Sequence, residues 1–272
     1  MSESSPGPRL VHVTFTGADH TVDAGALAEL LGAHRPGTIE LAVLGSVSKQ
    51  GAERYPVPSL ALDIVGLAKR FRQRSALHLC GKMARHLVYR GVDAAFDGAG
   101  APWLDVVWAV DRVQVNLPEP DINAEEAQRA IAGLGKPVIF QLRAPAGAPP
   151  VPHTPPVAFE EVVFPPLPAG ATWLFDPSGG RGRRLTMLPA LPGDRLVGYA
   201  GGITPDNVAN IVNEIGLTNP DARIGFWIDL ETGARARMNP GVSLNDDPPG
   251  PTCFSTSRCA AVMAAVAPFL SA

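Results

Sequence analysis

Residues 196–216 read "LVGYAGGITPDNVANIVNEIG". A short apolar run ends in two glycines and passes directly into a helical pattern, with Thr204 as the expected cap, Pro205 at the first helical position and Gly216 as the expected stop. A strand, a glycine turn and a capped helix form one β/α unit, so the question is whether the unit repeats. It does. Apolar, β-branched runs recur at "LVHVTFT" (10–16), "IELAVLG" (39–45), "SALHLCG" (75–81), "DRVQVNL" (111–117), "KPVIFQL" (136–142), "TWLFD" (172–176), "LVGYAGG" (196–202) and "IGFWIDL" (224–230). Helical patterns separate most of them, including "DAGALAELLGA" (23–33) with an acidic cap, "SLALDIVGLAKRF" (59–71), and "NAEEAQRAIAGLG" (123–135) with an Asn cap and a closing glycine.

Eight strands alternating with helices predict a single parallel (β/α)₈ barrel domain over residues 1–272, with residues 1–9 a disordered tail. An open doubly wound sheet is the alternative, but "TFTGADH" (14–20) is a poor match to its glycine-rich first turn. Two units are irregular. The segment after the fifth strand carries "APAGAPPVPHTPP" (144–156), which cannot be helical, and "AFEEVVF" (158–164) is too short for a full helix. The stretch after Asp176 also lacks helix signals, and "NPGVSLNDDPPGPT" (239–252) is a second proline-rich loop. Long loops of this kind suit a cover over a site or a partner surface, here over 144–169.

Composition narrows the classes. With 46% hydrophobic residues the chain can bury a large core, and a net charge of -3 gives no global basic field for nucleic acid or an anionic membrane. Cys80, Cys253 and Cys259 are odd in number and match no metal or disulfide spacing. No signal-like or membrane-length apolar stretch is present, so a cytoplasmic protein is expected, monomeric or homodimeric.

In a barrel, functional groups lie at the C-terminal ends of the strands. Those positions hold Thr16 and Asp19; Ser46, with Lys49 and Arg54 beyond it; His78 and Cys80; Asn116; Gln141 and Arg143; Asp176; Gly201 and Gly202; and Asp229, Glu231 and Thr232. A single strand-end Asp or Asn is more often a turn residue, and His78 and Cys80 could equally fill the core. Alternation in "LHLCG" sends Leu77 and Leu79 outward and His78 and Cys80 into the lumen. The glycine turn 201–202 lets backbone approach an anion closely. A divalent metal held by His78, Asp176, Asp229 and Glu231 is a further option, without any diagnostic ligand spacing. In "FDPSGGRGRR" (175–184), Arg181, Arg183 and Arg184 either reach an anionic ligand or face solvent.

Several stretches together resemble phosphoribosylanthranilate isomerase, a phosphate-binding barrel of tryptophan biosynthesis. "YAGGITPDNV" is similar to that family's LAGGLTPENV turn, "WLFDPSGGRG" to its sixth-strand segment, "IDLETGAR" to its DVSSGVE, and "AERYPVPSLALDI" to its second-loop SPRYV segment. The resemblance implies that Asp176 is the general acid acting on a furanose ring oxygen and that Arg54 holds a substrate carboxylate. It further implies a phosphate cradle of Gly179, Gly180, Gly201, Gly202, Thr232 and Gly233, with Asp229 touching substrate. The first strand departs from the family. Its catalytic cysteine is replaced by Thr16 and its lysine by Thr14, and Asn116 stands in place of a histidine. A threonine hydroxyl is too weak a base to take a carbon-bound proton. The chain thus resembles a divergent branch lacking the first-strand cysteine.

The expected activity is a cofactor-independent isomerase or epimerase acting on a small phosphorylated, sugar-type metabolite. Asp176 serves as acid, and Cys80, His78 or Asp229 as the replacement base; Arg54, Asn116, Gln141, Glu231 and Thr16 bind substrate. A lyase using the same groups and a non-catalytic metabolite-binding barrel are the alternatives.

Overall fold

The computed structural model describes residues 9–117, 122–142, 166–177, 185, 188–189, 191, 195–219, 224–238 and 251–270. Eight parallel strands close into a barrel in chain order: β1 (Leu10–Thr16), β2 (Ile39–Gly45), β3 (Arg74–Cys80), β4 (Arg112–Asn116), β5 (Val138–Leu142), β6 (Ala171–Phe175), β7 (Val197–Ala200) and β8 (Phe226–Leu230), with β8 pairing β1. The open doubly wound alternative is thereby excluded. Each run identified in the sequence supplies one strand. The β2 run "IELAVLG" is buried throughout, because in a closed parallel barrel helices cover one face and lumen side chains the other.

Among the described residues the helices are α1 (Ala24–Ala33), α2 (Pro58–Arg70), α3 (Gly81–Arg90), α4 (Val92–Ala95), α5 (Pro102–Ala109), α6 (Ala124–Leu134), α7 (Val208–Thr218) and α8 (Thr256–Val266). Their caps show why they start where they do. The Asp23 side chain accepts from the Ala26 amide. Asn123 and Glu126 form a reciprocal capping box, and Gly135 ends α6 in the left-handed conformation at φ 60°. The α7 boundaries differ from expectation. Asn207, not Thr204, is its N-cap residue, and the helix runs through Gly216 to Thr218. The Asn207 side chain instead accepts from the Thr204 amide and donates to the Gly202 carbonyl, and this use pins the glycine turn rather than the helix. A two-stranded antiparallel sheet, β9 (Arg235–Arg237) paired with β10 (Thr252–Phe254), follows β8 outside the elements expected from the sequence.

Two cores result from the period-two alternation. Outward residues such as Val13, Phe15, Leu41, Val43, Leu77 and Leu79 join the large annular core beneath the helices. A separate apolar cluster fills one side of the lumen: Ile139, Leu174, Ala200 and Trp227. A Cβ at Gly198 would overlap both the Trp227 indole and Leu174, so β7 carries no side chain there and the indole spans the lumen. The lumen's other side is ionic. Arg112 donates through Nε to Glu40 Oε2 at 2.7 Å and through a terminal nitrogen to Glu40 Oε1 at 2.6 Å, and that nitrogen also meets His12 Nε2 at 2.8 Å. Thr14 donates to Glu40 as well, and the Arg112 guanidinium lies 4.3 Å from the Trp227 ring centroid. These groups form the floor below the strand ends.

No described helix is long and apolar enough to cross a membrane. The tail expected over 1–9 lies outside the described residues except Arg9, whose carbonyl accepts from the Phe226 amide. The segment 143–165 likewise lies outside them, with the cover or partner surface expected there. So do 178–184, carrying Gly179, Gly180 and Arg181, Arg183 and Arg184, and 239–250 of the second proline-rich loop.

Candidate active site

A cavity of about 140 Å³ opens above the ionic floor at the C-terminal ends of the strands. One side of its wall comes from consecutive strands: His78 of β3, Gln114 and Asn116 of β4, Gln141 of β5, and Asp176 just beyond β6. Gly201 and Gly202 after β7 lie on the other side, with Asp229 of β8 and Glu231, Thr232 and Gly233 after it. Ten of the sequence-derived site residues therefore share one cavity: His78, Asn116, Gln141, Asp176, Gly201, Gly202, Asp229, Glu231, Thr232 and Gly233. Thr16, Arg54 and Cys80 do not line it.

Local structure explains each placement. Asp176 is 4% exposed, and its Oδ2 accepts from Gln141 Nε2 at 2.7 Å, which fixes the carboxyl against β5. Asp229 Oδ1 accepts from Thr16 Oγ1 at 2.6 Å. The first-strand threonine thus stands behind Asp229 and orients it, instead of facing the cavity. Gly201 and Gly202 have φ of 114° and 58°, conformations that an L side chain rarely adopts, so the turn needs glycine. At Gly233 a Cβ would overlap the Ile203 carbonyl oxygen, and its absence lets the turns after β7 and β8 touch backbone to backbone.

Burial sets the proton affinities. It pushes the Asp229 carboxyl up to about 8 against the opposing Thr16 hydrogen bond, and the nearby Glu231, Glu40 and Asp176 carboxylates add to the rise. Burial, then the Arg112 charge below, pulls His78 down to about 3, so its imidazole is neutral. Cys80 is pushed up to about 11 by burial, with Asn116 Nδ2 3.6 Å from its sulfur. A thiol so held is protonated near neutral pH and is a poor base.

Arg54 is engaged outside the cavity. Its guanidinium donates to Glu231 Oε1 at 2.8 Å, and its amide donates to Asp19 Oδ2 at 2.6 Å. Arg54 has a φ of 71°, one of two non-glycine residues at positive φ among those described. Arg235 completes this network through Asp19 at 2.9 Å and the Gly17 carbonyl at 2.7 Å, which ties together the turns after β1, β2 and β8. Burial raises the Asp19 pKa, but hydrogen bonds from Thr21 and the Arg54 amide, with the Arg235 charge, outweigh it and leave the net value lowered.

Gln114 lines the cavity as well, although it lies below the strand end. Its signal was present in "VQVNL", where Gln114 and Asn116 share one face of the strand. His12, Glu40 and Arg112 were also legible as inward positions on their strands. Among the described residues, no group of three or more His, Cys, Asp or Glu is placed to hold a metal ion, so the His78, Asp176, Asp229 and Glu231 set does not form such a centre.

No protein-family model matches the chain. No curated protein matches it either. Solved structures similar to it include thiamine phosphate pyrophosphorylase from Pyrococcus furiosus, at 11% identity and TM-score 0.43, with 96% of this chain and 98% of that one covered. The phospho-2-dehydro-3-deoxyheptonate aldolase of Thermotoga maritima is similar at 10% identity and TM-score 0.46, covering 95% and 68%. A D-psicose 3-epimerase from Clostridium cellulolyticum is similar at 9% identity and TM-score 0.35, covering 82% and 85%. At these scores the likeness bears on neither substrate nor reaction.

Proposed function

We propose that the protein is a cofactor-independent acid/base enzyme, an isomerase or epimerase acting on a small phosphorylated sugar-type metabolite. The observation that carries this reading is the pair of buried carboxyls, Asp176 and Asp229, in the wall of one cavity at the strand ends. With its proton affinity at about 8, Asp229 is close to the value that suits a base working near neutral pH. Asp176 delivers a proton to the sugar ring oxygen as the ring C–O bond opens. Asp229 removes the proton from the neighbouring carbon, and the electron pair of that C–H bond becomes the new double bond. Cys80 is the weaker choice of base because its thiol keeps its proton. Gly201, Gly202, Thr232 and Gly233 supply the turns that would receive the phosphate, where bare backbone lets amides come close to an anion.

The test is turnover of phosphoribosylanthranilate, together with exchange of carbon-bound hydrogen in deuterated water, by the wild type and by Asp176→Asn, Asp229→Asn and Cys80→Ser. Loss in both aspartate variants with Cys80→Ser active supports the assignment. Loss in Cys80→Ser alone would transfer the base role to the thiol. No turnover or exchange, with inorganic phosphate still raising the melting temperature, would leave a metabolite-binding barrel.

A further inference from the structure

Among the described residues, the buried side-chain nitrogens without a hydrogen-bond partner are His12 Nδ1, His78 Nε2, Trp103 Nε1, and Nε and one terminal nitrogen of Arg237. Of the residues that carry them, His78 alone borders the cavity. Its residue is 2% exposed, and it sits on β3 in register with Gln114 of β4, which lines the same cavity. Buried polar atoms in folded proteins are paired in the large majority of cases, and an orphan at a cavity wall is a place where a bound molecule completes the hydrogen bonding.

We propose that His78 Nε2 is a substrate contact, hydrogen-bonded to an uncharged oxygen, a hydroxyl or carbonyl of the sugar-type moiety. This rests on the reading given under Proposed function and adds to it the place where the sugar is recognised. The surroundings fix the class of partner. No described lining residue is Lys or Arg, so an anion in this cavity depends on backbone amides, which the glycine turns after β7 and β8 offer on strands across the barrel from His78 of β3. The imidazole is itself neutral above the Arg112 guanidinium. A neutral ring nitrogen pairs well with a hydroxyl or carbonyl oxygen and offers an anion much less. With Gln114, Asn116 and Gln141 beside it, His78 belongs to a wall of uncharged hydrogen-bonding groups from β3 to β5. That wall suits an oxygen-rich, uncharged moiety, and the glycine turns are left for the phosphate.

The experiment uses the full chain with D-ribose 5-phosphate and inorganic phosphate as probes. Binding is measured by calorimetry for the wild type, His78→Phe and His78→Gln, and the His78 ring nitrogens are followed by NMR in the wild type. Ribose 5-phosphate is expected to shift the Nε2 resonance, and inorganic phosphate to leave it in place. His78→Phe should weaken ribose 5-phosphate about tenfold, the scale of one lost hydrogen bond. It should leave phosphate affinity unchanged, and His78→Gln should restore most of the loss. A sugar phosphate that binds no tighter than phosphate, an unmoved Nε2 resonance on binding, or unaltered affinity in His78→Phe would each overturn the proposal. Because the NMR measurement uses wild type, it stands even if His78→Phe fails to fold. Failure of the acid/base reading is separate: hydrogen exchange would persist in Asp229→Asn, whatever His78 shows.

Discussion

Replacing Asp229 by Asn isolates the buried carboxyl in a way that stability can report. The amide oxygen still accepts from Thr16, and the volume is nearly unchanged. In the native wild type, Asp229 holds its proton up to about pH 8, whereas in the unfolded chain it releases it near the ordinary value of 3.8. A group whose native affinity is raised contributes stability that is complete below the unfolded value and is lost as pH climbs through the native one. Between those limits the unfolded state binds fewer protons, so wild-type stability falls by about 1.4 kcal/mol per pH unit from this group. The Asn variant has no such slope. Its advantage over wild type should therefore grow by about 3 kcal/mol between about pH 5 and pH 7, or roughly 6–12 °C in melting temperature for a chain this long. Urea unfolding of both proteins across that range, read from midpoints at constant m, measures the growing gap. Parallel stability curves, or a gap that narrows as pH rises, would refute the placement of Asp229 as a buried carboxyl with high proton affinity.

Used as a base, Asp229 must be ionised, so kcat/KM should rise about tenfold per pH unit and level off near pH 8; a profile falling through that pH would make it the proton donor instead. Arg112→Met strands the Glu40 carboxylate in the lumen and should cost about 3–5 kcal/mol in unfolding free energy, most of it recovered when Glu40→Leu is added. Cys80 should alkylate slowly at neutral pH, with the rate rising about tenfold per pH unit and levelling off only near pH 11. Gly233→Ala should destabilise the protein by about 1–3 kcal/mol, seen by calorimetry, since the new methyl meets the Ile203 carbonyl.

The barrel was legible because each strand is a short apolar run bounded by turn residues, and because β1 and β2 carry uninterrupted patterns matching their observed limits. Residues at the strand ends followed directly from that architecture, which is why Asp176, Asp229 and Glu231 were found together. What one strand could not disclose was contact across the lumen. Thr16 looked like a lost base facing the ligand, yet its hydroxyl is spent on Asp229, a partner 213 positions away. Arg54 looked like a ligand for a carboxylate, and the carboxylate it holds is Glu231. Thr204 carried every local sign of a helix cap, but Asn207 bonding back to the glycine turn moved the helix start. Each difference is a tertiary contact overriding a local preference.

The Thr16–Asp229 hydrogen bond also crosses the seam where the first and last strands meet. The ionic floor of His12, Thr14, Glu40 and Arg112 comes from the first four strands, so its groups are all present once the ribosome has made less than half of the chain. Trp227 and Asp229 arrive last. During synthesis the nascent half-barrel must carry its charged lumen against water, and the Asp229 carboxyl acquires its hydrogen bond from Thr16 only when the seam shuts. The Thr16–Asp229 contact therefore doubles as a readout of closure, and a fragment ending before β8 would have seven strands, the floor and Asp176 but no Asp229 across the cavity.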